Sequence, residues 1–160
     1  MGFGSNAGNR FLNIRRAVRL VYLSDSFDIL KLSRVYETEP WGFKSQNNYL
    51  NCAAVCLCRT KPLHLLEELK KFEFMLGRAK RIKWREREID IDILFYGDEF
   101  IKERGLEIPH PFIQYRNFVL RPLDDLIPGY THPVLNRTIR FLLQHTRDLS
   151  RVSIYKKQLV

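Results

Sequence analysis

No apolar run in this 160-residue chain approaches the ~20 residues that span a bilayer, so no membrane helix is expected. Internal repeats, low-complexity segments and linker-like stretches are also absent, which argues against a solenoid or a disordered tail. A single domain over residues 1–160 is the expectation. The opening residues, MGFGSNAGNRF, carry no charged start followed by a hydrophobic block. No secretion signal is expected, and the expected compartment is the cytoplasm. Cysteine is scarce: Cys52, Cys56 and Cys58 are the only three, and an odd number agrees with a reducing compartment. The stretch around them, YLNCAAVCLCRT over 49–60, reads as a strand. Cys52 and Cys58 would then stand about 20 Å apart, too far to share one zinc at ~2.3 Å bond lengths. Small reduced residues on a packed face are expected instead. Acidic residues are the minority, 18 against 27 Lys and Arg, for a formal charge of +9. That balance points to nucleic acid, acidic lipid or a phosphorylated small molecule, without choosing among them.

What is present is core material: 45% hydrophobic residues, with 11 Phe, 7 Tyr and 2 Trp. The start, residues 1–4, reads as a short strand. Residues 9–23 place Phe11, Leu12, Ile14, Val18, Val21 and Tyr22 at helical spacing. Residues 27–40 alternate as a strand and end before a proline, and 39–48 form a turn-rich aromatic loop. A strand over 49–60 precedes a helix over 62–76, which Pro62 opens and Gly77 stops. The basic segment 78–87 leads into a strand over 88–96. The proline-rich second half is expected to hold short elements, a helix near 136–146 and a last strand near 151–155. The order β-α-β-β-α-β predicts an α+β, ferredoxin-like split βαβ fold. Its sheet should be mostly antiparallel, with helices on one face and C-terminal additions.

The stretch EIDIDILFYG, residues 88–97, places Asp90 and Asp92 among isoleucines and aromatics. In a helix the two would point about 200° apart; in a strand they share one face. Ile89, Ile91, Ile93 and Phe95 then form the opposite, core-facing side. Carboxylates two residues apart on one face can converge on Mg²⁺, which takes one or two of them and fills its other positions with water and phosphate oxygens. Decoration of an exposed strand edge is the plainer explanation of the pair taken alone. The neighbouring segment shifts the balance, because six of the ten residues from Arg78 to Arg87 are basic. Beside two carboxylates, such a run completes a triphosphate site. A basic RNA-binding module on the same fold is the alternative. It needs a K/R-G-F/Y-G/A-F-V-x-F/Y run on a central strand, which this sequence does not contain.

These residues resemble the 6-hydroxymethyl-7,8-dihydropterin pyrophosphokinase family. The resemblance runs through GSNAGNR (4–10), YETEPWGFKSQNNYLN (36–51), GRAKRIKWREREIDIDILFYG (77–97) and IPHPFIQYRNFVLRPL (108–123). It implies transfer of pyrophosphate from ATP to the pterin hydroxymethyl group, releasing AMP, in folate biosynthesis. It implies two Mg²⁺ ions on Asp90 and Asp92, with ATP as co-substrate. Arg78 and Arg87 would close over the phosphates and join the two aspartates in catalysis. ATP would be held by Lys70, Glu73, Lys80, Arg81, Lys83, Arg87, Ile93, His110 and Arg116. The pterin would meet Thr38, Pro40, Trp41, Tyr49, Asn51, Trp84 and Phe118. The expected partners are these small molecules, with no nucleic acid and no membrane, and the chain is expected to act as a monomer. The sequence departs from the family pattern at Arg85-Glu86, where Gly-Pro is usual, and at Lys80 and Lys83, where arginine is common.

Overall fold

A computed structural model of the chain describes residues 1–40, 47–78, 86–156 and 159. Most of the two expected loops therefore lies outside the described residues, Trp41, Lys80, Arg81, Lys83 and Trp84 included.

The chain runs β1 (Gly2–Ser5), α1 (Arg10–Leu23), β2 (Phe27–Leu32), β3 (Val35–Thr38), β4 (Tyr49–Cys58), α2 (Pro62–Met75) and β5 (Asp90–Asp92). A small hairpin follows, β6 (Ile101–Glu103) and β7 (Leu106–Ile108), then a 3₁₀ turn at Ile113–Tyr115. The last elements are α3 (Asn117–Leu126), α4 (Ile139–His145) and β8 (Val152–Lys156). The main sheet has the order β5-β1-β4-β3-β8, with β2 also on β4. All its pairings are antiparallel. This is the expected ferredoxin-like arrangement, with β4 between β1 and the β2–β3 run.

The helices begin where local chemistry favours it. The Asn9 side chain caps α1 by accepting from Leu12 N at 3.0 Å. Pro62 opens α2, and Gly77, at φ +89°, follows its end in the left-handed region that glycine tolerates best. Ile14, Val18 and Val21 of α1 and Leu65 and Leu69 of α2 pack with Phe3, Leu50, Cys52 and Ile91 on one sheet face. α3 and α4 cover part of the other face, where Leu120, Leu123, Ile139 and Leu142 pack with Ala53 and Leu94. Asp125 ties α3 to β3 by accepting from Tyr36 Oη at 2.8 Å and from Arg34.

Several elements differ from expectation. The single strand over 27–40 is two strands, because Ser33 interrupts the ladder. Its N–H donates to Ala53 O at 3.0 Å, and its hydroxyl oxygen accepts from Ala53 N at 2.9 Å. A side chain thus replaces a main-chain acceptor, and both short strands pair with the long β4. The strand over 88–96 is only Asp90–Asp92, since among the described residues its one neighbour is the four-residue β1. Beyond it Leu94 turns to the second core, and its carbonyl accepts from His110 N at 2.9 Å. Phe95 follows Leu94 rather than the isoleucines, packing edge-on against Tyr130 with ring centres 4.9 Å apart. The hairpin β6–β7 and helix α3 were not expected. Pro122 disguised α3, although a proline inside a helix removes only one main-chain donor and here is buried in the packing.

Candidate active site

Pleating and register assemble the site. Gly2 and Gly4 of β1 pair with Asp92 and Asp90 on one side and with Ala53 and Asn51 on the other. Thr38 pairs with Tyr49. Because strand side chains alternate, Asp90, Asp92, Asn51, Tyr49 and Thr38 share one face. The two glycines keep its floor low. A Cβ on Gly4 would stand 3.0 Å from Asn51 Oδ1, and one on Gly2 would stand 3.3 Å from Leu94 Cδ1. A cleft of about 360 Å³ opens over this floor. Lys70, Arg78 and Arg87 line it beside the aspartates, and His110, Arg116 and Phe118 line it from the run into α3.

Charge is distributed unevenly over the two aspartates. Asp90 accepts from Arg78 Nη1 at 2.6 Å and from Arg87 Nη1. Burial opposes its charge, yet the two guanidiniums outweigh that and hold its pKa below the ordinary value. Asp92 has no such partner among the described residues. Burial, and then the neighbouring Asp90 charge, push its pKa up to about 6. One carboxylate is neutralised by two arginines, and at the other the attraction of Lys70 and Arg116 is outweighed by burial and the Asp90 charge.

Glu73 is not on the cleft surface. The residue is 2% exposed, and its side chain accepts from Ile91 N at 2.7 Å and from Lys70 Nζ at 2.8 Å. Its other oxygen meets Arg78 Nη1 at 2.5 Å. Arg78 therefore bridges two carboxylates, Glu73 below and Asp90 at the cleft. Ile93, expected at the nucleotide, is buried in the core, and Pro40 lies outside the cleft lining.

His110 and Arg116 form an anion-seeking pair. His110 Nδ1 accepts from Phe112 N at 3.2 Å, so a neutral ring carries its proton on Nε2. That nitrogen stands 3.4 Å from Arg116 Nη1. Both groups then present N–H donors to the same space. Burial, followed by the Arg116 charge, pushes the His110 pKa down to about 4, which keeps the ring neutral. Arg116 also lies over the rings of Phe112 and Phe118, at 5.0 and 5.7 Å. Tyr49 and Phe118 both line the cleft. Asn51 Nδ2 donates to Thr38 Oγ1 at 2.8 Å, which fixes its amide.

Sequence reasoning gave no separate role to Gly2, Gly4 or Asn6. The Gly-x-Gly alternation within a first strand was the available signal for the open floor. Asn6 is 1% exposed and clamps the backbone of Arg87. Asn6 Oδ1 accepts from Arg87 N at 2.7 Å, and Asn6 N and Ala7 N both donate to Arg87 O at 3.1 Å. The three cysteines are free; burial raises the buried Cys52 thiol to about 12, which suits packing rather than chemistry.

Fold and site together define a ferredoxin-like α+β enzyme whose sheet floor sets paired carboxylates among arginines, the arrangement that handles phosphates. Residues 1–128 match the model of the 7,8-dihydro-6-hydroxymethylpterin-pyrophosphokinase (HPPK) family, and the chain belongs to that family. It is 41% identical over 140 residues to the 2-amino-4-hydroxy-6-hydroxymethyldihydropteridine pyrophosphokinase of Aquifex aeolicus, covering 88% of this chain and 86% of that one. It is 36% identical to the Bacillus subtilis protein of the same name, covering 79% and 75%. It is also 38% identical to the folic acid synthesis protein FOL1 of Dictyostelium discoideum, over 86% of this chain but only 21% of that longer one. Among solved structures, Plasmodium falciparum HPPK-DHPS, wild type with pteroate, superposes with a TM-score of 0.73 over 89% of this chain and 43% of that one. At 20% identity that likeness bears on the fold alone.

Proposed function

We infer that the chain transfers the pyrophosphoryl group of ATP to the hydroxymethyl oxygen of 6-hydroxymethyl-7,8-dihydropterin, releasing AMP, a step of folate biosynthesis. The observation that carries the reading is the cleft floor, where Asp90 and Asp92 stand side by side within reach of Arg78 and Arg87.

The donor set fits magnesium. Among the described residues no group of three or more His, Cys, Asp or Glu side chains gathers as an all-protein metal cage. A pair of carboxylates is what Mg²⁺ uses when water and substrate phosphates complete its shell. Asp92, whose charge is opposed by burial and by Asp90, stands to gain from a cation. Two Mg²⁺ ions would be held by Asp90 and Asp92, supplying charge that stabilises the phosphates and orients them for displacement.

The remaining work falls to positioning. The pterin hydroxymethyl oxygen forms a bond to the β-phosphorus of ATP, the bond from that phosphorus to the bridging oxygen breaks with its electrons leaving on AMP, and the hydroxyl proton is released to solvent. No protein nucleophile is needed. Arg78 and Arg87, which neutralise Asp90, are placed to turn onto phosphate oxygens once metal takes over that role. His110 and Arg116 offer adjoining donors to the nucleotide's phosphates. Tyr49 and Phe118 would sandwich the flat pterin, with Asn51 reading its polar edge. The roles of Trp41, Lys80, Arg81, Lys83 and Trp84 rest on the resemblance. The reading includes one domain over 1–160, a monomer, acting in the cytoplasm on ATP and dihydropterin. Among the described residues, no helix is long and apolar enough to cross a membrane.

The test is an assay of AMP release from ATP and Mg²⁺, with and without the hydroxymethyl-dihydropterin. AMP that depends on the pterin is the expected result. Absence of such AMP, with tight RNA binding in its place, would favour the alternative module.

A further inference from the structure

Helix α3 begins at Asn117, directly after Arg116 and one residue before Phe118, so its cap residue and its first turn carry Arg116, Phe118 and Val119 to the cleft lining. Helix starts leave main-chain N–H groups unsatisfied, and a Ser, Thr, Asp or Asn at the cap position serves them best. Arg116 occupies that position here and makes no side-chain cap bond. The missing acceptor comes from far along the chain. Asp148 Oδ2 accepts from Asn117 N at 2.8 Å, across 31 residues.

Asp148 is itself held in place. Its Oδ1 accepts from Ser150 N at 3.0 Å and Ser150 Oγ at 2.5 Å. Its own N–H donates to Thr146 Oγ1 at 3.3 Å, and that hydroxyl donates to Gln114 O at 3.1 Å. Asn117 Nδ2 closes the circuit on Ser150 O at 3.1 Å. The strap from Thr146 to Ser150 thus grips the chain on both sides of Arg116, at Gln114 and at Asn117. It lies beyond the stretch 1–128 that matches the family model.

We propose that Asp148 is a positioning residue for substrate binding: as a distant cap on α3, it fixes the turn that presents Arg116 to the nucleotide and Phe118 to the pterin. The role assigned to the two substrates rests on the function inferred above; the capping role does not. Loss of the cap lowers the fraction of molecules with that turn in its binding geometry, and apparent affinity falls by the same fraction.

The experiment compares wild type with Asp148→Ala, Asp148→Asn and Thr146→Val. It reads amide exchange at Asn117 and the affinity for α,β-methylene-ATP with Mg²⁺ and for the hydroxymethyl-dihydropterin, at a temperature where all variants are folded. Asp148→Ala is expected to speed exchange at Asn117 and weaken both ligands by about three- to tenfold. In turnover KM should rise while kcat changes by less than about twofold. Asp148→Asn keeps one oxygen for the Asn117 amide and should recover most of the loss. Thr146→Val, which frees the strap from Gln114, should shift affinity in the same direction by less. Asp148→Ala with unchanged Asn117 exchange and unchanged affinities would overturn the proposal, as would a loss of stability with no change in either affinity. Wild-type protein that forms no pterin-dependent AMP would instead sink the functional reading, while Asn117 exchange would still report on the cap.

Discussion

The Glu73 carboxylate accepts the main-chain N–H of Ile91 at 2.7 Å, midway between the two aspartates of the cleft. Among the described residues strand β5 is an edge strand with β1 as its one neighbour, and a side chain from α2 supplies an acceptor that a further strand would otherwise provide. Burial raises the Glu73 pKa, and Lys70 and Arg78 compensate its charge.

Glu73→Ala should therefore cost about 3 kcal/mol or more, because it strips the buried Ile91 amide and Lys70 of their partner and Arg78 of one of its two carboxylates at once. Glu73→Gln keeps an acceptor for Ile91 and should cost less. Urea denaturation of the two variants measures the difference. A Glu73→Ala protein as stable as wild type would remove the anchoring role.

Asp92 gives a pH prediction with a definite sign. Its folded pKa, about 6, lies above its ordinary 3.8, so the folded chain binds this proton more tightly than the unfolded one. The stabilising contribution is complete below about pH 4 and is lost as pH rises through 6. In metal-free buffer near pH 7, Asp92→Asn should thus be more stable than wild type by roughly 1–3 kcal/mol, with the gain fading as pH falls from about 6 to about 4. The same variant should lose turnover by orders of magnitude, and Mg²⁺ with ATP should raise its Tm less than that of wild type. Thermal melts across pH, with and without Mg²⁺, check both halves.

Asn51 is buried, and its amide is fixed by Thr38. Asn51→Ala should weaken pterin binding by about ten- to a hundredfold, the equivalent of one or two lost polar contacts. The affinity for α,β-methylene-ATP should stay within about twofold, since Asn51 is distant in role from the phosphates. Fluorescence titration of each ligand separates the two.

Ser33 carries a purely structural prediction. Ser33→Ala leaves the buried Ala53 N–H without its 2.9 Å acceptor and should cost about 1–3 kcal/mol. KM and kcat should be unchanged in assays well below the Tm. A neutral substitution would show that water or a shifted strand takes over the bond.

Apart from the split of the 27–40 segment into β2 and β3, the order of elements through β5 was legible because of local signals: Asn9 as cap, Pro62 and Gly77 as start and stop, and isoleucines alternating with aspartates. The common face of Asp90 and Asp92 followed from the same alternation. What escaped depends on partners far along the chain. Nothing local marks Ser33 as a ladder member, because its role exists only opposite Ala53. The resemblance marked Glu73 as a nucleotide contact, but nothing local marks it as the buried acceptor of the Ile91 amide. Helix α3 was hidden twice over, by Pro122 within it and by a cap that sits at Asp148. The end of β5 was set by the length of β1 rather than by its own residues, which is why Phe95 left the isoleucine face.

The most direct test of the central claim is a crystal structure of the protein with Mg²⁺, α,β-methylene-ATP and the hydroxymethyl-dihydropterin. The expected result has cations held by Asp90 and Asp92, with Arg78 and Arg87 drawn off Asp90 onto the phosphates. A loaded complex in which both arginines still grip Asp90, and no cation lies beside Asp92, would contradict it.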